Sequence, residues 1–121
     1  MCLLTLATVT ADSRPICGPV DGIFYRGAFH FGSAPDSVRF RHIRARPQVS
    51  AVYLPGEQLG VTVHGRADIV PVEGGFRETV LSIYVPRYGP SWEAEFLDSG
   101  PLYARIEAER LFCFHMPAGE A

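Results

Sequence analysis

An alternation of apolar and polar residues with a period of two is the feature that most limits what this chain can fold into. It is clearest over residues 60–70, where four apolar residues alternate with four polar ones: Val61, Val63, Ala67 and Ile69 against Thr62, His64, Arg66 and Asp68. Side chains of a β-strand point alternately to opposite faces, so this segment predicts a strand with one face in a core and one in solvent. We therefore expect the four apolar side chains to be buried.

Five further segments have the composition and spacing of strands. They are residues 3–11, 16–25, 28–32, 49–54 and 102–116. Turn sequences join several of them: residues 12–15 join the first two, Arg26-Gly27 is a two-residue hairpin signal, and residues 55–58 precede the strand over residues 60–70. The first three strands therefore follow one another as a meander.

Two segments do not follow the strand pattern. Residues 36–46 place Phe40 and Ile43 on one helical face among arginines and end before Pro47, which predicts a short helix. Residues 72–97 are interrupted by glycines and prolines, and there we predict a helix near residues 76–84 and a helical turn over residues 91–97. Six strands with one or two short helices predict a mainly β (α+β) fold, an antiparallel barrel with helical decoration.

Length and composition favour one domain in a reducing compartment. The 121 residues, 47% of them apolar, fit a single domain over residues 1–121. The apolar residues 1–9 are too short to span a bilayer and lead into a polar turn, which favours a first strand of a cytoplasmic protein. Cys2, Cys17 and Cys113 lie far apart and form no Cys-x-x-Cys, so we expect reduced thiols, no disulfide framework and no metal site.

The positive charge of the chain is concentrated in one segment. The net charge is -2, and all 11 basic residues are arginines. Residues 36–47 contain four arginines and one aspartate, a local charge of +3, so the rest of the chain sums to -5. A nucleic-acid-binding domain is usually basic over a whole face, so this pattern favours a small anionic ligand over nucleic acid.

Several signatures of enzymes are absent from the sequence. It contains no G-x-S-x-G, no P-loop, no G-x-G-x-x-G and no H-E-x-x-H, which argues against common hydrolase and nucleotide triphosphatase classes. The four histidines, His30, His42, His64 and His115, lack the spacing of metal ligands. We interpret them as structural or exposed residues.

The segment over residues 29–39 has the features of an anion site. A strand ends at Gly32 and Ser33, and a helix begins near Asp36 or Ser37 with unpaired backbone N–H groups at its positive end. The hydroxyls of Ser33 and Ser37 and the guanidinium of Arg39 are suitable donors to phosphate oxygens. An alternative interpretation is also open: Asp36 and Ser37 suit a plain helix cap, and the arginines suit a solvated helix face.

The order of several short motifs points to a known family. Residues 6–20 look like an opening hairpin, and Phe31-Gly32-Ser33, Ser37, Arg39 and residues 47–49 look like a phosphate segment followed by a strand. Residues 63–67 look like a long central strand, and Tyr88-Gly89, Trp92 and residues 103–106 resemble later landmarks. In this order the chain resembles the pyridoxamine 5'-phosphate oxidase-like family of flavin and deazaflavin split barrels over nearly all of its length.

The resemblance implies a fold, a cofactor and a partner. It implies a six-stranded split barrel that forms a homodimer, with FMN or coenzyme F420 in the groove between subunits. Two serines and one arginine would hold the phosphate, and a segment of the second strand would flank the ring system with its backbone and side chains. The cofactor-binding residues implied in this way are Pro19, Val20, Asp21, Gly32, Ser33, Ser37 and Arg39.

Four departures from the family pattern refine the expected cofactor. Val38 stands where pyridoxamine phosphate oxidases have the first of two adjacent basic residues, and Ile16 and Asp21 align with a phosphate-binding arginine and a lysine. We therefore do not expect vitamin B6 oxidation, and we favour coenzyme F420 or a loosely held FMN. Relatives often have a helix ahead of the first strand, so we also expect part of the pocket cover to be missing here.

The sequence leaves three functional hypotheses open. The first is a flavin- or deazaflavin-dependent oxidoreductase acting on a small substrate, in which the cofactor supplies the hydride chemistry and no catalytic side chain is identified. The second is a protein that binds flavin, haem or a bilin without turnover, and the third is a barrel with a vacant pocket. Tyr84, Tyr88 and Trp92 are candidates for stacking on a substrate, or are packing residues.

Overall fold

Six antiparallel strands close into a barrel in the computed structural model, which describes residues 1–117. The last four residues of the predicted domain over residues 1–121 lie outside the described residues. The strands are β1 (Cys2–Val9), β2 (Pro15–Tyr25), β3 (Ala28–Ser33), β4 (Gln48–Gly56), β5 (Leu59–Val70) and β6 (Leu102–His115). The helices are α1 (Val38–Ala45), α2 (Gly74–Tyr88) and α3 (Trp92–Glu95), with a 3₁₀ turn at Leu97–Ser99.

The strand order around the barrel is β1-β2-β3-β6-β5-β4, and β4 pairs with β1 to complete the circle. The three N-terminal strands form the predicted meander, and β6 returns from the end of the chain to lie between β3 and β5. This arrangement confirms the predicted fold class, a mainly β antiparallel barrel of six strands. It also places Gly32 of β3 directly opposite Tyr103 of β6.

The local turn chemistry explains why the strands begin and end where they do. Arg26 and Gly27 both have positive φ angles, 47° and 78°, as a tight two-residue hairpin requires. Helix α2 is longer than the predicted 76–84 and passes through Pro86. Because Pro86 lies in the last turn of α2, it removes only one backbone hydrogen bond, and the helix ends two residues later at Tyr88, with Gly89 as its C-cap.

Two apolar clusters hold the molecule together. The first fills the barrel, where helix α1 contributes Phe40 and Ile43 and the strands contribute residues such as Phe31 and Ile106. The second lies outside the barrel between α2 and the sheet, and its members are Ile23, Phe76, Val80, Tyr84, Leu97 and Tyr103. The outer cluster fixes α2 and the segment that follows it against the sheet, which builds a wall beside β2 and β3.

The alternation along β5 holds for most of the strand and fails near its end. Val63 and Ala67 are buried and Val61 is half-buried, as expected, but Ile69 is 44% exposed. Ala67 is the last residue of β5 that belongs to the barrel cluster, and the strand continues beyond it. The prediction that Ile69 is buried is therefore wrong: Ile69 pairs with the buried Ala104 at the end of β5, but its own larger side chain extends past the barrel cluster into solvent.

The second half of β6 is exposed on both of its faces. Residues 107–116 are all exposed, although many are large and apolar: Leu111, Phe112, Phe114 and Met116. From residue 110 onward, β6 pairs with the start of β5, and a bulge between His64 and Gly65 separates this part of the ladder from the rest. We call residues 111–116 the β6 extension.

In residues 1–117, no helix is both long enough and apolar enough to cross a membrane.

Candidate functional site

The junction between β3 and α1 has the cap geometry of a helix start. Ser37 is the residue before the first turn, with φ -62° and ψ 154°, and its hydroxyl oxygen accepts a hydrogen bond from the Phe40 N–H at 3.3 Å. The capping role considered from the sequence is therefore present. A serine hydroxyl keeps its own hydrogen as a donor when its oxygen accepts, so Ser37 can also donate to an anion.

Arg39 links the junction to strand β2. Its Nη2 donates to the carbonyl oxygen of Pro19 at 2.8 Å. Gly18 makes this contact possible, since a Cβ atom at that position would lie only 3.2 Å from the same nitrogen. One hydrogen bond leaves most of the five guanidinium donors free, so Arg39 remains available to an anionic group.

A cavity of about 320 Å³ lies beside the junction, and we call it the junction cavity. Its lining residues come from β1, β2 and the start of α1: Leu6, Thr8, Ile16, Cys17, Gly18, Ser37, Val38 and Arg39. Ser33 lies at the end of β3, half-buried and paired with Leu102, and is not among these lining residues. The structure thus brings Ser37 and Arg39 together at one cavity and leaves Ser33 at its edge of the sheet.

The positive charge of α1 is not neutralised by carboxylates. Arg44 donates to the Pro35 carbonyl at 3.0 Å, and Arg46 donates to the Val9 carbonyl at 2.9 Å. Among residues 1–117, the arginines that form ion pairs are all outside this helix: Arg14, Arg66, Arg77 and Arg105. Hydrogen bonds to carbonyls orient a guanidinium without cancelling its charge, so this end of the site is electropositive.

A second cavity, of about 500 Å³, lies on the other side of β2, and we call it the aromatic cavity. Its lining residues are Asp21, Gly32, Tyr84, Tyr88, Trp92, Glu95, Phe96 and Tyr103. Four of the rings form a continuous stack, with centroid separations of 6.0 Å for Tyr84–Tyr88, 4.9 Å for Tyr84–Trp92 and 5.4 Å for Trp92–Phe96. The stack gives the cavity a rigid apolar wall.

Gly32 has a packing role in the aromatic cavity. A Cβ atom at this position would lie 2.7 Å from the ring of Tyr103, its cross-strand partner, so the absent side chain lets the ring lie over the backbone. Burial, and secondarily the charge of Asp21, raise the pKa of Tyr103 to about 12. The same two causes, in the same order, raise the pKa of Tyr84. Both phenols are therefore neutral near pH 7.

Strand β2 contributes to both cavities, with residues 16–18 at the junction cavity and Asp21 at the aromatic cavity. Cys17, Pro19 and Asp21 occupy alternate, exposed positions, so they share its outer face, and Cys17 and Asp21 are about 13 Å apart along the strand. Val20 points the other way and is only 8% exposed, within the barrel core. Strand alternation buries the side chain of Val20, so its backbone is the part of this residue that faces the outer surface of β2.

Sequence reasoning identified part of the aromatic cavity and missed the rest. Tyr84, Tyr88 and Trp92 were candidates, whereas Glu95 and Phe96 were not. Their spacing of three and four residues from Trp92 would have placed them on its side of a helix. No sequence spacing indicates Tyr103, because it reaches the cavity through the pairing of β3 with β6.

The histidines lie in structural positions. His30 is 4% exposed, its Nδ1 lies 3.0 Å from the Ala28 carbonyl oxygen, and burial lowers its pKa. His42 and His64 form hydrogen bonds with the hydroxyls of Thr8 and Ser50. Within residues 1–117, no cluster of three or more histidine, cysteine or acidic side chains is arranged to hold a metal ion.

Solved structures show that this barrel is a shared fold. A conserved hypothetical protein from Mycobacterium tuberculosis is 20% identical, with a TM-score of 0.76 over 100% of this chain and 84% of that one. A protein described as an F420 reductase is 21% identical, with a TM-score of 0.71 over 92% and 89% of the two chains. The heme storage protein HutZ from Vibrio cholerae is 21% identical, with a TM-score of 0.70 over 91% and 84%.

The sequence itself identifies the family. Residues 3–114 match the family model of pyridoxamine 5'-phosphate oxidase, so the chain belongs to the pyridoxamine 5'-phosphate oxidase family. Among curated proteins, none is similar enough in sequence to count as a match. The resemblance recognised from short motifs is thereby confirmed at the level of the family.

Proposed function

We propose that this chain is a single flavin-binding split-barrel domain that acts as a flavin- or deazaflavin-dependent oxidoreductase, with FMN or coenzyme F420 as its cofactor. The observation that carries the proposal is strand β2, which lines an electropositive cavity with residues 16–18 and an aromatic cavity with Asp21. FMN and coenzyme F420 both carry a phosphate on the ribityl chain, at the far side of that chain from the planar ring. Family membership supports the same cofactor class.

The phosphate end of the cofactor lies at the junction cavity in this proposal. Arg39 and the Ser37 hydroxyl donate to phosphate oxygens, and the N-terminal end of α1 adds its positive dipole. Ser33 contributes from the end of β3. Val38 carries no charge, so this site binds the phosphate more weakly than a site with two adjacent basic residues. The cofactor is therefore exchangeable.

The ring end of the cofactor lies along β2 toward the aromatic cavity. Pro19 and Asp21 flank the ring with side chain and backbone, Val20 with backbone alone, and Gly32 borders the same cavity. The cofactor, when bound, supplies the hydride chemistry. The protein positions the ring and, through the aromatic wall, excludes water from it.

A homodimer completes the site in this proposal. The β6 extension exposes Leu111, Phe112, Phe114 and Met116 at 48% to 56% of their surface, which is a large apolar area on the surface of one chain. Burying one such side chain fully contributes about 1.5–3 kcal/mol, so a second copy is the natural cover. A cytoplasmic location remains a prediction from the sequence.

Binding of flavin, haem or a bilin without turnover is the second candidate function. The structural similarity to a protein named for heme storage favours it. Haem iron in proteins is held by histidine, cysteine, methionine or tyrosine. The described residues that line the aromatic cavity include tyrosines but no histidine, cysteine or methionine, which favours a flavin over haem.

Spectroscopy and turnover separate these functions. The purified protein is titrated with FMN, coenzyme F420 and haem while its visible absorption is recorded, and the loaded protein is then reduced and mixed with electron acceptors. We expect saturable binding of FMN or F420 and acceptor-dependent reoxidation faster than that of the free cofactor. Binding without faster reoxidation would support the second function, and binding of none of the three would contradict both.

A further inference from the structure

The aromatic cavity contains negative charge that the described chain leaves largely uncompensated. Asp21 and Glu95 are its charged lining residues, and no arginine lines it. In residues 1–117, the carboxylates that form ion pairs are different ones: Asp12, Asp68, Glu93, Asp98 and Glu107. One cation lies over a ring of the stack: the guanidinium carbon of Arg87 is 5.9 Å from the ring centroid of Tyr88, and this single positive charge against two carboxylates leaves the cavity with its rim net negative.

The aromatic wall strengthens the effect of these carboxylates. Rings of tryptophan, tyrosine and phenylalanine attract cations with their faces, so they add to the attraction of the exposed carboxylates Asp21 and Glu95 for a cation. Arg87 already lies over one ring of the stack. Tyr84 and Tyr103 add no charge, because burial raises the pKa of both phenols.

We propose that the aromatic cavity binds an organic cation, an ammonium or positively charged nitrogen heterocycle carried on an apolar group. The volume of about 500 Å³ is in the range of small-molecule sites. Asp21 and Glu95 supply the counter-charges, and the aromatic stack takes the apolar part of the ligand. Binding at this cavity goes beyond the proposed function, since it does not require a flavin.

The same cavity indicates a substrate class for the oxidoreductase. This inference about the substrate rests on the proposed function. Asp21 flanks the ring of the cofactor in that proposal and also borders the aromatic cavity. A cation held between Asp21 and Glu95 therefore lies next to the ring. Small organic cations are then the substrates, and anionic substrates are disfavoured.

Calorimetric titration of the wild-type protein without cofactor tests the binding step. The probes share one phenyl ring and differ in charge: benzyltrimethylammonium, 2-phenylethanol and 3-phenylpropionate. Trp92 is the only tryptophan of the chain and lies in the stack, so its fluorescence reports where each probe binds. We expect the cation to bind at least about tenfold more tightly than the neutral probe, a difference of about 1.4 kcal/mol, with the anion weakest. Equal affinity for cation and neutral probe, or tighter binding of the anion, would overturn the proposal.

Variants test whether the two carboxylates are responsible. Asp21→Asn and Glu95→Gln should each weaken binding of benzyltrimethylammonium about three- to tenfold and leave the affinity for 2-phenylethanol unchanged, which also reports an intact cavity. Glu78→Gln is the matched control, because Glu78 is an exposed acid of α2 that does not line the cavity. The proposal fails if the cavity variants behave like Glu78→Gln.

The two proposals fail separately. Cation-selective binding by a protein that binds neither FMN nor F420 would remove the proposed function and keep this site. Saturable binding of FMN or F420 by a protein that does not prefer the cation would keep the proposed function and remove this site.

Discussion

Arg39 is the residue on which the proposed cofactor site depends most. It contacts the Pro19 carbonyl, lines the junction cavity and forms no ion pair among the described residues. Every basic residue of the chain is an arginine, so the choice of arginine over lysine at position 39 does not indicate a binding role. The location of Arg39 at the junction cavity supports that role instead.

Replacing Arg39 should weaken cofactor binding. We predict that Arg39→Ala weakens binding of FMN or F420 by about 1.5–3 kcal/mol, the contribution of a hydrogen bond to a charged group. Fluorescence titration at fixed salt measures the change. Arg41→Ala is the control, because it removes the same charge from the same helix. Arg41 is exposed and does not line the cavity. Equal affinities for the two variants would remove Arg39 from the site.

Gly32 shows how one residue can suit two interpretations. The sequence suggested close approach of a ligand to the backbone, and the structure shows the ring of Tyr103 in that space. We predict that Gly32→Ala lowers the free energy of unfolding by about 1–3 kcal/mol, the usual cost of overpacking. Urea denaturation measures it, with Gly56→Ala as the control because nothing lies within 4 Å of a Cβ atom there. Similar stabilities of both variants would contradict the packing role.

At the scale of elements, the period-two pattern was sufficient to locate all six strands. Their ends agree with the structure within a few residues, because alternation and turn residues are local properties. Strand order was not predictable, since the pairing of β3 with β6 joins segments about 70 residues apart in sequence. For the same reason, the site was predicted as one junction, whereas the structure presents two cavities on either side of β2.

One arginine ties the segment over residues 91–99 to α2. Nη2 of Arg77, on α2, donates to Glu93 at 2.9 Å and to Asp98 at 2.8 Å, and these bonds raise the pKa of the guanidinium. The bonds tie α3 and the 3₁₀ turn to α2 beside the aromatic stack. The wall of the aromatic cavity is therefore held by a polar contact as well as by packing.

Removing this contact should loosen the wall without unfolding the barrel. We predict that Arg77→Gln speeds amide hydrogen exchange over residues 92–99 severalfold and leaves exchange in β4 and β5 unchanged. Arg14→Gln is the control, because Arg14 pairs with Asp12 in the exposed turn between β1 and β2, which is far in sequence from residues 92–99. Unchanged exchange over residues 92–99 would show that aromatic packing alone fixes the segment.

At the scale of the whole molecule, the β6 extension is the feature that a single chain does not explain. We predict a homodimer at micromolar concentration and a monomer for Phe112→Glu, because a charge would replace one of the most exposed apolar rings, 56% exposed. Sedimentation velocity measures both. A monomeric wild-type protein, or a Phe112→Glu variant that stays dimeric, would contradict the proposal that the extension is the subunit contact.

The central claim is that the chain binds a flavin-type cofactor along β2, and equilibrium titration of the purified protein with FMN and with coenzyme F420 tests it most directly. The account predicts saturation at one cofactor per chain for at least one of the two, with an affinity that falls in Arg39→Ala and holds in Arg41→Ala. Absence of saturable binding for both cofactors, by protein whose far-ultraviolet circular dichroism shows a folded β-rich chain, would contradict it.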